Sequence, residues 1–153
     1  MKTKTLAALV ATSFLLATGF AHAATSVSSC KLKNGSAIAV DFHGIGVDYI
    51  HTNKAGTVDL RLPATAYGYF NAMNGNSTLY YRFAKGDYSY VVISLDAKGN
   101  VWDGLTVYKG KKLISQQQCQ GYFDTPLAEP DPNNGVIKNE SDSKEAETFS
   151  YTP

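Results

Sequence analysis

Little in this sequence announces chemistry. There are two cysteines, Cys30 and Cys119, with no Cys-x-x-Cys pair, and no histidine flanks either one. That argues against a redox couple or a metal site and for one structural disulfide, since two cysteines allow one intramolecular pairing. Neither a Gly-x-Ser-x-Gly elbow nor a phosphate loop occurs, so those two routes to an enzyme have no support. The chain also lacks a basic run with interleaved aromatics, the footprint expected of nucleic-acid binding. After the first residues no long stretch has helical spacing. The expectation is therefore a non-enzymatic protein without cofactor or metal.

What is present begins with a leader. Lys2 and Lys4 precede an uncharged apolar stretch over residues 6–20, and Ala21-His22-Ala23 follows as a small-x-small cleavage pattern. This predicts a signal peptide over residues 1–23 and a mature start near Ala24. The apolar run is short for a membrane span of about 20 residues, and no cysteine at the cleavage point invites a lipid anchor. A periplasmic or secreted bacterial protein is expected. Export places both cysteines where disulfides persist. A bridge enclosing nearly the whole folded part stabilises by about 4–5 kcal/mol in the chain-entropy account.

Charge divides the remainder into two parts. Residues 24–123 carry ten Lys/Arg against six Asp/Glu, and residues 124–153 carry two Lys against seven Asp/Glu. The length suits one domain. Residues 24–123 show period-two alternation broken by frequent turn signals. Strands are predicted over 27–32, 37–42, 47–51, 57–62, 66–71, 79–83, 88–95, 101–108 and 112–119. Short strands joined by tight turns predict an all-β fold, a small antiparallel β-barrel of about eight strands closed by the disulfide. After Phe123, prolines at 126, 130 and 132 and then Glu140, Asp142, Glu145 and Glu147 predict a flexible acidic tail, because so few apolar residues cannot offset the cost of ordering.

Candidate chemistry is thin elsewhere. Asp131 to Gly135 resembles a calcium loop faintly, but Val136 stands where an EF-hand needs glycine. His43 and His51 lie near Asp41 and Asp48, yet spacing supplies no third ligand; His43 reads as a turn residue and His51 as a strand end. Asp87 and Asp103 would serve as a glycosidase pair only at a separation of about 5–10 Å, which sequence does not establish.

The tyrosines are the distinctive feature. Six of ten lie between Tyr67 and Tyr90. In the hairpin YYRFAKGDYSY, residues 80–90, alternation puts Tyr81 and Phe83 on one face and Tyr80 and Arg82 on the other. Only one set faces a barrel interior, so the other is expected outside, beside Lys85. Tyrosine and arginine dominate interface hot spots, which makes Tyr67, Gly68, Tyr69, Tyr80, Arg82, Lys85, Asp87 and Tyr88 the candidate binding residues. The competing reading is ordinary cross-strand aromatic pairing.

The order of Cys30, AYGYF at 66–70, YYRFAKGD at 80–87 and KKLISQQQC at 111–119 resembles the periplasmic and membrane-bound inhibitors of C-type lysozyme. That resemblance implies a small antiparallel barrel that inserts a loop into the enzyme's cleft. The family's lysine matches Lys85. Its Ser-Gly-x-x-Tyr motif keeps only Gly68, with Tyr67 and Asn71 in place of the serine and tyrosine. Together these readings predict an inhibitor that binds a lysozyme or other cell-wall hydrolase. The alternatives are a carbohydrate- or peptidoglycan-binding module, and an immunity or envelope protein with another partner.

Overall fold

A computed structural model describes residues 25–71, 75–131 and 135–150. The leader expected over residues 1–23 lies outside the described residues. Within them the chain is mostly β, in two sheets. The first is a meander of β1 (Ser26–Lys31), β2 (Ala37–His43), β3 (Gly46–Thr52) and β4 (Val58–Pro63). The second contains β5 (Ala66–Asn71), β6 (Asn76–Lys85), β7 (Tyr88–Ala97), β8 (Asn100–Lys109) and β9 (Lys112–Gln118). A two-residue strand, β10 (Lys138–Asn139), adds to it in parallel along β5. All other ladders are antiparallel.

Each predicted strand exists, most of them a residue or more longer than expected. Alternation decides their faces. Ile38, Val40 and Phe42 from β2, Val47 and Tyr49 from β3, and Tyr81 and Phe83 from β6 fill the space between the sheets. Aromatic pairs bridge the layers: Phe42 meets Tyr81 edge-on at 5.5 Å, and Tyr49 meets Phe83 at 5.4 Å. Such pairs are worth about 0.5–1.5 kcal/mol each beyond their buried area.

The sheets are not closed into a barrel by strand pairing among the described residues. They meet at two seams. At one, the chain passes from β4 to β5, with Ala64 N–H donating to Val47 O and Thr65 N–H to Arg82 O. At the other, Leu32 bridges to Cys119, Lys33 N–H donates to Gln118 O and Gln120 N–H to Lys31 O. The Cys30–Cys119 disulfide, with Cα atoms 5.7 Å apart, covalently fastens this second seam.

The segment after Phe123 is not a free tail. Leu127 and Ile137 are buried in the inter-sheet core, and a short helix, α1 (Lys144–Phe149), buries Ala146 and Phe149. The physical reason lies in the second sheet. Its β7 strand, YSYVVISLDA, is apolar on both faces, as expected of a strand covered on both sides. Tyr80, Val91, Ile93, Leu95, Trp102 and Tyr108 form an outer apolar cluster with Phe149. The few apolar residues of the C-terminal segment find a surface that already needs covering.

Candidate functional site

The eight residues expected to form one recognition surface fall in three places. Tyr67 and Tyr69 point inward; Tyr67 is buried and Tyr69 half-buried. Gly68, Tyr80 and Arg82 face outward, but the C-terminal segment covers them. Lys85, Asp87 and Tyr88 lie exposed at the β6–β7 turn.

The covered group is held tightly. Glu140 is fully buried and forks onto Arg82: Nε donates to Oε2 at 3.1 Å, and Nη2 donates to Oε1. Tyr80 Oη donates to the same carboxylate at 3.4 Å. Phe149 lies under the Arg82 guanidinium at 4.9 Å and meets Tyr108 edge-on at 5.1 Å. Burial, reinforced by the Glu140 charge, pushes the Tyr80 hydroxyl far above the ordinary phenol range. This group is occupied by the protein itself.

Lys85 is not on that face. The period of two puts it with Tyr81 and Phe83, so it leans over the inter-sheet space rather than standing beside Tyr80 and Arg82. There the two sheets gape into a cleft of about 470 Å³. Gly86 at φ 56° makes the tight turn that presents Lys85 at the rim. Among the described residues Lys85 has no carboxylate partner. Tyr49 and Tyr90, stacked at 5.7 Å, form the aromatic wall. Burial first, then neighbouring Tyr90 and Asp59, push the Tyr49 hydroxyl far above its ordinary value, so it stays a neutral donor.

His51 and Asp59 complete the cleft. His51 Nδ1 and Asp59 Oδ1 are 2.5 Å apart. Simple alternation places Asp59 on the opposite face of β4 from Leu60. The register shift at His51/Thr52, with His51 opposite Leu60 and Thr52 opposite Val58, leaves Asp59 as the extra residue of a β-bulge and re-aims it. Alternation alone misses this pair, because a bulge leaves no clear mark in the sequence. Ser115 lines the same cleft but makes no hydrogen bond to His51 among the described residues. His43 behaves differently: it faces solvent 3.5 Å from Asp48, which also takes Arg61 at 3.0 Å.

Asp87 and Asp103 do not converge. Asp87 precedes Tyr88, which pairs with Lys109, whereas Asp103 pairs with Ser94. Six residues of strand separate those levels, roughly 20 Å, beyond the reach of a glycosidase pair. No three His, Cys, Asp or Glu residues are grouped to hold a metal among the described residues. None of the described helices is long and apolar enough to cross a membrane. No family model, curated protein or solved structure matches the chain.

Proposed function

We propose that this is an exported glycan-binding protein whose cleft takes a short cell-wall saccharide bearing an anionic group. The observation that carries this reading is the composition of the 470 Å³ cleft: an aromatic wall, several neutral hydrogen-bonding groups and, at its rim, one lysine with no carboxylate partner among the described residues. A sugar has a face of C–H bonds and an edge of hydroxyls. Tyr49 and Tyr90 suit the face. Asn34, Ser115 and Gln117, with the His51–Asp59 pair fixed in orientation, suit the edge. Lys85 suits a carboxylate, through a charge-assisted bond. The volume lies within the range of small-molecule sites.

The leader-like N-terminus and the disulfide support export. The two seams, one of them locked by Cys30–Cys119, support reading the pair of sheets as a flattened barrel, split where the cleft opens.

The test is co-sedimentation with insoluble peptidoglycan, followed by calorimetric titration with soluble muropeptides. Lys85→Ala and Tyr90→Ala should each weaken binding roughly ten-fold, the scale of one charge-assisted or aromatic contact. Binding that ignores both substitutions would sink the reading.

A second reading is an inhibitor of a lysozyme or other cell-wall hydrolase. One observation favours it: Lys85, Asp87 and Tyr88 form an exposed hairpin end, extended by Lys109 lying 5.7 Å from the Tyr88 ring. A lysis assay with purified protein separates the two. Loss of lysozyme activity that Lys85→Ala restores supports inhibition; undisturbed lysis beside peptidoglycan binding supports the glycan reading.

A further inference from the structure

A smaller cavity of about 250 Å³ opens at the far end of β7 and β8, against the segment that follows β9, lined by Ser94, Asp96, Val101, Asp103, Tyr122, Phe123 and Pro126. Ser94 sits four residues beyond Tyr90 on β7, roughly 13 Å along the strand, so this is a separate place from the cleft above. Asp103 is 4% exposed. Its Oδ2 accepts the Phe123 N–H at 2.9 Å, while its Oδ1 is buried with no partner among the described residues. An unmatched buried carboxylate oxygen is costly, more so than a neutral group. Asp96 stands on the same face, two residues along from Ser94, with one oxygen accepting from Gly99 N–H at 3.0 Å. Tyr122 projects at the mouth, 66% exposed. No lysine or arginine lines the cavity, and neither aspartate makes an ion pair among the described residues.

We propose that this cavity binds a cationic N–H group, an ammonium or guanidinium, with Asp103 Oδ1 as its principal acceptor. Each part of the site has a role in that chemistry. The orphan oxygen needs a donor, and a charged donor gives the stronger bond. Asp96 adds negative charge at short range. The exposed Tyr122 ring offers a face for the cation. The volume holds a guanidinium with some water. A metal ion fits worse: calcium wants six to eight oxygens, whereas two carboxylates and the hydroxyls of Ser94 and Tyr122 are available, each Asp already accepting a backbone N–H through one oxygen. The same chemistry comes from two sources, a free small amine or a Lys or Arg side chain of a protein.

The test is an amide NMR titration of the full chain. Methylguanidinium and butylammonium should shift the Ser94, Asp103 and Phe123 signals saturably. Tetramethylammonium, which has charge but no N–H, and calcium should not. A capped Gly-Arg-Gly peptide that binds more tightly than methylguanidinium assigns the site to a protein side chain; one that binds more weakly assigns it to a free amine. Asp103→Asn keeps an acceptor for Phe123 N–H but removes the charge, and should weaken binding roughly ten-fold or more. Should that variant not fold, Tyr122→Ala, at an exposed ring, should weaken it several-fold. Absence of saturable shifts, an equal response to tetramethylammonium or calcium, or unchanged binding by the folded variants overturns the proposal.

Discussion

The ring of Tyr80 lies across Gly68, its partner on the β5–β6 ladder, so closely that a Cβ on Gly68 would sit 2.2 Å from Tyr80 Cε1. Tyr80 has no room to yield. It is fully buried, stacked on Phe70 at 6.3 Å and bonded to Glu140. Gly68→Ala should therefore destabilise by about 1–3 kcal/mol, the usual cost of overpacking. The check is a urea unfolding curve, in which the midpoint drops with little change in slope. Adding Tyr80→Ala should make the second substitution cost less than it does alone, because the two sites share one contact.

Glu140→Ala should cost about 2–3 kcal/mol. Breaking a fully buried pair costs about 3–5 kcal/mol, and Arg82, with 18% of its side chain exposed, retains some hydration. The same variant should loosen α1 and uncover the apolar cluster around Tyr80 and Tyr108. Increased binding of a hydrophobic dye at neutral pH is the measurement; unchanged dye binding and stability would show that the segment is held by other contacts.

The Cys30–Cys119 bridge spans a sequence separation of 89 and fastens the seam where Leu32 meets Cys119. Replacing both cysteines with serine should lower stability by about 4–5 kcal/mol if chain entropy dominates. Denaturant curves of the oxidised wild type and the double variant give the difference directly. A loss below about 1 kcal/mol would place the stabilisation in the surrounding hydrogen bonds instead.

Asp124 should show a pH signature. Ser29 donates to it from both Oγ–H and N–H at 2.7 Å, and these bonds hold its carboxyl below the usual carboxylate range. A pKa lowered by folding stabilises the folded state above the ordinary value near 4, and that contribution disappears as pH falls through the lowered value. Asp124→Asn should thus reduce Tm by a few degrees at pH 7. The gap between variant and wild type should close on acidification below about pH 4. Because the carboxylate stands mostly in solvent, added salt should narrow the gap as well.

Strand positions were legible because their cause is local. Residues 66–71, AYGYFN, carry their own alternation, and β5 occupies those same residues. Turn chemistry is equally local: Asn53 Oδ1 accepts from Ala55 N–H and Thr57 N–H within a few residues. The order of the C-terminal segment is not legible in this way, because its composition is polar while its partners are remote. Glu140 meets Arg82 across a sequence separation of 58, and one buried ion pair plus Phe149 order what an average over the segment assigns to disorder. The His51–Asp59 pair depends on a single bulge, which shifts one residue relative to its neighbours and leaves the surrounding alternation almost intact.

The sequence by itself determined the alternating strands, the turns between them and the one cysteine pairing open to the chain, since each follows from local pattern or simple counting. Tertiary structure decided everything that needs two distant segments to meet. It turned Lys85 toward the gap between the sheets and Tyr80 beneath Glu140, and it left the sheets open where the cleft forms. The physical reason is that a strand's period sets which residues share a face, but only packing decides what that face will touch.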